Sequence, residues 1–385
     1  GQRSDFVGFV AVVNKEASEK CSRLVEKWSR ILEKLPWGKN YEKEKLGKPE
    51  FAILDIIANG LINLEIGHNF TNQITMGRSH VFSNVISALS ISTQFIREQD
   101  QELFREYHRS AQQVFTGLHE LFGHGSGKDF KRQTNGSFNF DMENTMDILT
   151  GCNVTSWYEP NQSYVSVFGD LALAFEECRA YAVAYLLCCD TEVLEALGYK
   201  GASGQKLKYA IWLRQLREGL RALVVYDRTS KKWREGHSWA RYVILKVILE
   251  AGEGCLTIEQ TKNDLKINLD KSKIDSVGMP SIRKFLKKLQ AYRSTADVKG
   301  ARALFNRYGV DESEILRWFI SLLHEIQRNE TLEFVQPNTM LTKEGGVQLV
   351  TYEETPEGVI QSVIDRYTPE SVANLEAAWK AEKKQ

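Results

Sequence analysis

The sequence predicts a mostly α-helical fold with small β parts. Apolar residues recur at the helical spacing of three and four over long stretches, most clearly from Gln101 to Phe122 and from about Val165 to Cys189. Strand-like runs are short and stand towards the two ends of the chain and in one hairpin. With 385 residues, of which 42% are hydrophobic, the chain can bury a large core and form two or three domain-sized units.

Taken in order, the elements begin with a β-prone run from Phe6 to Val13. Phe51 to Ile66 is apolar but divided by Gly60, and we interpret it, with residues 67–72 that follow, as strand and loop. The apolar spacing predicts helices at 24–35, 81–97, 101–122, 165–189, 206–226, 233–249, 280–292, 298–308 and 312–328. Residues 128–160 are polar and predict a long ordered excursion. A hairpin at 256–258 and 265–269, strands at 332–335 and 347–352 flanking a turn, and two short terminal helices complete the prediction.

Charge and composition exclude several classes of partner. Lys+Arg and Asp+Glu number 50 each, so nothing in the net charge indicates nucleic acid or an anionic membrane surface. The apolar runs are far shorter than the roughly 20 residues that a membrane helix needs. Six scattered cysteines do not form the framework of a disulfide-rich protein, which favours a reducing compartment and predicts a cytoplasmic location.

The stretch His119-Glu120-Leu121-Phe122-Gly123-His124 indicates a hydrolytic metal centre at the end of a long helix. Imidazoles supply neutral nitrogen ligands, and the carboxylate of Glu120 can take a proton from a bound water. The histidines are five residues apart, so on a regular α-helix the second points roughly 140° away from the first. Both can bind one ion only if the turn is widened, and we expect a π-type turn that Gly123 tolerates. The alternative is an amphipathic helix that carries two histidines by chance.

Glu176 and Glu177 stand on an otherwise apolar stripe of the next long helix. Burying an unpaired charge is costly, so two adjacent carboxylates at this place indicate a role. One glutamate from a second helix would complete a zinc site of two histidines and one carboxylate, with a fourth position open for water. The alternative is a solvated acidic patch near Arg179.

Together, HELFGH and EECRA resemble the HExxGH and EECRA signatures of the dipeptidyl peptidase III family, and 58 positions separate the first histidine from the second glutamate. The similarity extends over nearly the whole chain and includes Val335-Gln336-Pro337-Asn338-Thr339. The resemblance implies a zinc exopeptidase, with one Zn²⁺ per chain, that removes dipeptides from the amino ends of short peptides.

The resemblance also implies roles for individual residues. His119, His124 and Glu177 match the metal ligands of the family. Glu120 matches its general base, which would deprotonate the attacking water and pass the proton to the departing amine. His237 matches a histidine that steadies the transition state.

Three further residues are implied to bind substrate. Arg241 lies four residues after His237 on a predicted helix and so faces the same way. Without the resemblance, this pair would be a surface histidine and an arginine in a salt bridge. Asn69 and Asn72 fit a Gly-x-Asn-x-x-Asn loop that would hold the free amino group of the peptide, whereas turn-forming asparagines are the alternative.

Tyr181 is the main departure from the family pattern. The family has an acidic residue after EECRA that orients a metal-binding histidine, and Glu176 is the remaining carboxylate next to the ligands. Because loss of such a partner typically costs about 10 to 100-fold in metal affinity or activity, we expect weakened zinc affinity or rate.

The resemblance divides the chain into parts of two lobes. Residues 1–53 and 68–331 would form the helical zinc-binding catalytic lobe, and 54–67 and 332–385 would be β-containing remnants of a second lobe. The amino-terminal lobe is expected to be absent from this chain. An alternative function is therefore a zinc-binding, peptide-binding protein with weak or no hydrolysis. A redox enzyme on the same scaffold is a third class that no residue specifically favours.

The expected partners are short peptide substrates. Some animal members of the family carry a Glu-Thr-Gly-Glu loop that binds a Kelch-repeat adaptor. This chain has Ile148-Leu149-Thr150-Gly151-Cys152 in that region, so binding of a Kelch adaptor is not expected.

Overall fold

Helices make up most of the structure, as the apolar spacing predicts. The computed structural model describes residues 9–13, 15–43, 51–59, 67–72, 75–84, 87–88, 93–260, 264–309, 319, 323, 334–335, 337–353, 355–367 and 369–382. Its α-helices are α1 (Lys15–Glu26), α2 (Trp28–Leu32), α3 (Glu98–Leu118), α4 (Tyr164–Phe168), α5 (Ala172–Leu187), α6 (Thr191–Ala196), α7 (Gly201–Arg221), α8 (Gly236–Glu250), α9 (Met279–Ser294), α10 (Val298–Arg307), α11 (Pro356–Arg366) and α12 (Pro369–Glu382).

The strands are short apart from two in a four-stranded sheet. They are β1 (Phe9–Val13), β2 (Phe51–Asn59), β3 (Gly67–Asn72), β4 (Thr75–Asn84), β5 (Ser87–Ala88), β6 (Tyr226–Asp227), β7 (Lys232–Trp233), β8 (Leu256–Gln260), β9 (Leu265–Leu269), β10 (Phe334–Val335), β11 (Asn338–Leu341) and β12 (Val347–Val350). The sheet has the order β1-β2-β4-β3, in which β2 and β4 are parallel and the other neighbours antiparallel. The remaining described strands form pairs: β5 with β10, β6 with β7, β8 with β9, and β11 with β12.

Helix α5 lies at the centre of the helical core. From Ala174 to Leu187 every residue is buried except Glu176, which is partly buried. A helix that is apolar all round must be surrounded by other elements, and α5 packs against α3, α4, α8 and α9. Its few polar residues are therefore carried into the interior, where they need partners.

Helix α3 leads directly into a π-helical turn over His119–His124, which we call the π turn. On one side α3 packs along α7, and the π turn packs against α5. Strands β3 and β4 also lie against the π turn. The metal motif is thus held between the helical core and the four-stranded sheet.

The polar stretch after the π turn is an ordered excursion, as predicted. Backbone bonds join Phe130 N to Ser294 O at 2.8 Å and Arg132 N to Tyr158 O at 2.9 Å. Phe138 and Trp157 pack edge to face, with ring centroids 4.9 Å apart. None of the helices in the described part of the chain combines the length and the apolar character needed to cross a bilayer.

Three local predictions are wrong. Residues 81–84 belong to strand β4, not to a helix at 81–97, because parallel pairing with β2 and antiparallel pairing with β3 override the local apolar spacing. Residues 67–72 form strand β3 and not a loop. The strands predicted at 332–335 and 347–352 do not flank one turn, because β12 pairs with β11, which begins three residues after 335, while β10 pairs with β5.

Other predictions have different outcomes. The hairpin of β8 and β9 and the two terminal helices are confirmed. The helix predicted at 312–328 lies outside the described residues except at Phe319 and Leu323, which are helical. The division into parts of two lobes stays a prediction.

Candidate metal centre

The π turn places the two histidines of HELFGH on the same side of the chain. The ring centroids of His119 and His124 are 4.7 Å apart, and their Nε2 atoms are 3.1 Å apart. A regular α-helical turn would separate them widely, whereas the extra residue per turn brings the five-residue spacing back into register. The widened turn that the spacing predicts is confirmed.

Gly123 is required for a reason that the sequence does not reveal. A Cβ atom added to Gly123 would lie 2.7 Å from the Cβ of Ala180 and 2.8 Å from its Cα. The π turn and α5 therefore touch backbone to backbone at this point. The Nη2 of Arg179 donates to the carbonyl oxygen of Gly123 at 2.7 Å and fastens the contact.

Glu177 on α5 faces both histidines. Its Oε2 lies 3.2 Å from Nε2 of His119, and its Oε1 lies 3.6 Å from Nε2 of His124. One ligand atom from each of the three side chains lies within 4.8 Å of the other two. His119 and Glu177 are almost fully buried, at 5% and 6% exposure.

The protonation states of these groups suit a metal. Burial lowers the pKa of both His119 and His124, which keeps their imidazoles neutral. Burial would raise the pKa of Glu177, but the neighbouring side chains of His119, His124 and His237 outweigh burial and lower it to about 2. Two neutral nitrogens and one anionic carboxylate form the donor set of a catalytic zinc site.

The spacing of the nitrogens also fits a single small ion. Two nitrogens bound tetrahedrally at 2.0–2.1 Å to one ion would be about 3.3 Å apart. The observed separation of the two Nε2 atoms is 3.1 Å. These three side chains therefore fit a zinc ion.

Glu120 lies within the π turn and is buried, at 6% exposure. Its negative charge acts on both His119 and His124, since it opposes the lowering of the pKa of each imidazole. The carboxylate therefore lies within electrostatic range of both imidazoles.

The first glutamate of EECRA holds His124 in place. Oε1 of Glu176 lies 3.0 Å from Nδ1 of His124, the ring nitrogen that faces away from the cluster. Arg179, which is fully buried, donates to Glu176 from Nε at 2.9 Å and from Nη2 at 2.7 Å. A carboxylate on the far nitrogen of a metal-binding histidine fixes its tautomer and its orientation.

His119 has no equivalent carboxylate. Within the described part of the chain, its Nδ1 is buried and has no hydrogen-bond partner. The ring of Tyr181 packs against the imidazole instead, with centroids 4.5 Å apart. Burial raises the pKa of Tyr181, so its phenol stays neutral and supplies no negative charge.

His237 and Arg241 reach the same cluster from α8. Nε2 of His237 lies 3.5 Å from Oε1 of Glu177. The guanidinium carbon of Arg241 lies 5.2 Å from the centre of the Tyr181 ring, and a side-chain hydrogen bond joins the two residues. The structure therefore brings His237 to Glu177, and Arg241 to the Tyr181 ring that packs on His119.

Glu235 caps α8 and orients His237. Its Oε1 accepts from the backbone N–H of His237 at 2.8 Å and lies 2.6 Å from the ring Nδ1, while Oε2 accepts from the N–H of Ser238. This contact raises the pKa of His237. The same bonds outweigh the effect of burial and lower the pKa of Glu235 to about 2.

Asn69 and Asn72 lie on β3, which packs against the π turn. Their side chains are outside the described part of the structure, so their binding role stays a prediction. The segment approaches the metal motif as a strand and not as the loop that we expected.

Three residues at the site escape sequence reasoning. Arg179 was considered only as the neighbour of an acidic patch, although it holds Glu176 and Gly123. Glu235 is a poor match to the preferred helix caps, so its position before α8 carries little signal. Arg293 contacts Glu176 from 117 residues away, and no local pattern indicates this.

The sequence of this chain is similar to those of known proteins. The sequence profile of Peptidase family M49 matches residues 1–367. The chain is 40% identical over 393 residues to dipeptidyl peptidase 3 of Homo sapiens and 36% identical over 392 residues to that of Nematostella vectensis. These alignments cover 98% and 99% of this chain but 53% of each relative. The chain thus spans about half the length of the curated relatives that it matches.

Solved structures share the fold at low sequence identity. Dipeptidyl-peptidase III of Corallococcus sp. strain EGB superposes with a TM-score of 0.57 and 14% identity, over 84% of this chain and 53% of that one. DPP III of Caldithrix abyssi superposes with a TM-score of 0.56 and 16% identity, over 83% and 55% of the two chains. At such identities the likeness concerns the fold alone.

Proposed function

This chain belongs to peptidase family M49, and from that membership we propose that it is the zinc-binding part of a dipeptidyl peptidase. The proposed reaction removes dipeptides from the amino ends of short peptides. The observation that carries the proposal is the buried cluster of His119, His124 and Glu177, assembled from the π turn and α5. Dipeptidyl peptidase 3 relatives support the substrate class.

We assign one Zn²⁺ per chain to His119, His124 and Glu177. When bound there, zinc acts as a Lewis acid and lowers the pKa of a water in its open position. The three protein ligands contribute one negative charge, which leaves the site net positive and suited to an attacking hydroxide. The buried, neutral imidazoles need no deprotonation before they bind.

Glu120 is the proposed general base. It follows the first proposed ligand directly, is buried, and lies within electrostatic range of both imidazoles. Its carboxylate takes a proton from the attacking water and then delivers that proton to the departing amine, so the peptide bond breaks with no net change at Glu120.

His237 and Arg241 are proposed to act on the substrate from α8. The contact with Glu235 favours a protonated His237, whose Nε2–H can donate to the oxygen that becomes negative as the peptide carbonyl is attacked. Arg241 provides a second positive group on the same helix, four residues away. Asn69 and Asn72 would accept hydrogen bonds from the free amino group of the peptide.

The cellular setting is also a proposal. All six cysteines are free thiols, and those at positions 21, 178, 188 and 255 are buried. Free thiols suit a reducing compartment, so we propose a cytoplasmic enzyme with short peptides as its partners. No loop of this chain carries the Glu-Thr-Gly-Glu sequence, so binding of a Kelch adaptor is not proposed.

Metal content and peptide turnover test the proposal together. Purified protein should contain about one zinc per chain and release dipeptides from a dipeptidyl-arylamide. His119→Ala should remove the metal. Glu120→Gln should keep the metal and lower turnover by about 10² to 10⁴-fold, the usual contribution of a general base.

Glu195→Gln, an exposed change on α6, is the matched control and should change neither quantity. Turnover that survives Glu120→Gln would contradict the assignment of the base. Zinc and peptide binding without measurable turnover in the unmodified chain would favour the peptide-binding alternative.

A further inference from the structure

Two arginines, and not only the one inside EECRA, hold the carboxylate of Glu176. Oε1 of Glu176 faces Nδ1 of His124 and Nη2 of Arg179. Oε2 accepts from Nε of Arg179 and from Nη1 of Arg293. Each oxygen therefore has two donors, and the direction in which Oε1 points depends on what holds Oε2.

Arg293 reaches Glu176 from α9, far from the metal motif in sequence. Its Nε donates to Oδ1 of Asp129 at 3.0 Å, so one guanidinium joins two carboxylates. The guanidinium carbon lies 4.8 Å from the centre of the Tyr164 ring. The side chain is largely buried, at 17% exposure, as are those of Glu176 and Asp129.

The backbone around Arg293 is equally well held. Its carbonyl oxygen accepts from the hydroxyl of Tyr158 at 2.8 Å. The neighbouring Ser294 donates from Oγ to the carbonyl of Lys128 at 2.6 Å, next to Asp129. Helix α9 and the segment after the π turn are thus joined by hydrogen bonds behind Glu176.

We propose that Arg293 is a positioning residue of the metal centre. Anchored by Asp129, it fixes Oε2 of Glu176, so that Oε1 stays aligned with Nδ1 of His124. The nitrogen Nε2 of His124 is then held towards Nε2 of His119 and Glu177. This inference rests on the proposed function, because it takes His119, His124 and Glu177 to be the ligands.

A role in positioning makes a different prediction from a role of charge alone. Arg293 carries a positive charge near a site for a cation, so its charge by itself opposes metal binding. Its planar fork, in contrast, bonds two carboxylates at fixed angles, which the point charge of a lysine cannot do. Arg293→Lys keeps the charge and removes the fork, whereas Arg293→Met removes both.

Zinc affinity, measured by competition with a chromophoric chelator, separates the two roles. We expect Arg293→Lys to bind zinc about 10-fold more weakly than the unmodified chain, the lower end of the effect of losing a contact around the metal ligands, because Arg293 acts on His124 through Glu176. The absorption bands of the cobalt(II)-loaded protein should change as well, because they report the geometry around the ion. Arg302→Lys, which alters an exposed ion pair with Asp170, is the control and should leave both unchanged.

A second variant guards against a general loss of structure. Asp129→Asn leaves both arginines in place but weakens the anchor of Arg293, and it should lower zinc affinity in the same direction by a smaller factor. Circular dichroism of each variant should match that of the unmodified chain. The proposal is overturned if Arg293→Lys binds zinc as tightly as the unmodified chain. It is also overturned if Arg293→Met, and not Arg293→Lys, binds zinc more tightly than the unmodified chain.

The outcomes distinguish this inference from the proposed function. If the unmodified chain binds no zinc, or if His119→Ala keeps it, the ligand assignment fails and this inference fails with it. If zinc binds as proposed and Arg293→Lys binds it equally well, the inference alone is wrong.

Discussion

The two histidines of the π turn are oriented by different physical means. The far nitrogen of His124 faces a carboxylate, which two buried or largely buried arginines hold in turn. The far nitrogen of His119 has no hydrogen-bond partner among the described residues, and an aromatic ring covers the imidazole. One ligand is thus held by charged hydrogen bonds and the other by packing.

This difference teaches how two adjacent ligands can respond unequally to change. Hydrogen bonds to a carboxylate fix both the tautomer and the angle of an imidazole. Ring packing restricts the angle but leaves the position of the proton open. We therefore expect the support of His124 to fail only when the buried charges behind Glu176 are disturbed. For His119, we expect that an added carboxylate can raise zinc affinity.

The largest loss of stability is expected when Arg179, which holds Glu176 behind His124, is replaced. Arg179→Met removes a fully buried guanidinium that bonds Glu176 and the carbonyl of Gly123. Because it leaves a buried carboxylate with fewer partners, the free energy of unfolding should fall by about 3–5 kcal/mol in urea titrations of the metal-free protein. Arg302→Met, on an exposed ion pair, should change it little. Equal losses in the two variants would contradict this account.

A smaller loss of unfolding free energy should follow when an added side chain pushes the π turn away from α5. Gly123→Ala places a Cβ 2.7 Å from that of Ala180, and such overpacking costs about 1–3 kcal/mol of unfolding free energy. Gly117→Ala, two residues before the turn, meets nothing within 4 Å and should stabilise by about 0.5–1 kcal/mol. Thermal or urea unfolding of the pair tests the sign of each change. A neutral Gly123→Ala would show that the close contact is dispensable.

The comparison predicts that His119, like His124, can be held by a carboxylate at its far nitrogen. Tyr181→Glu offers a carboxylate near Nδ1 of His119, and zinc affinity should rise by about 10-fold in chelator competition. Tyr181→Phe keeps the ring and should leave the affinity near that of the unmodified chain. If Tyr181→Glu weakens zinc binding, packing by the ring is the better support for this histidine.

The last prediction concerns a third imidazole, that of His108 on α3, which is not among the proposed metal ligands and serves as a reference. Burial, with the charges of Arg214 and Arg217, lowers the pKa of His108 from 6.5 to about 4. Between these values the unfolded chain binds a proton that the folded chain does not, so stability should fall as the pH is lowered from 6.5 to 4.

Thermal unfolding of the metal-free protein across this pH window measures the effect, and His108→Gln should flatten the slope. NMR titration should find His108 neutral at pH 6. A titration midpoint near 6.5 would show that burial without a hydrogen-bond acceptor at Nδ1 does not hold an imidazole neutral here.

Much of the helical core follows from sequence patterns, and the proposed ligand set follows from the two motifs and the family resemblance that they carry. Apolar spacing predicts α3 and α5 because a helix buried on one or all faces must repeat apolar residues at helical intervals. The five-residue spacing of His119 and His124 predicts the π turn because no regular helix brings both to one ion. Residues 81–84 were misread as helix because pairing with two distant strands decided their conformation.

The sequence by itself determined which side chains are candidate metal ligands and on which helices they stand. Spacing and residue chemistry are local, so they can be read along the chain. Only the tertiary structure decided how those candidate ligands are held: the contact of Gly123 with Ala180, the bridge of Arg293 between Glu176 and Asp129, and the lack of an acceptor for Nδ1 of His119 among the described residues. Each of these depends on residues far apart in sequence that meet only when α5 and α9 pack behind the π turn.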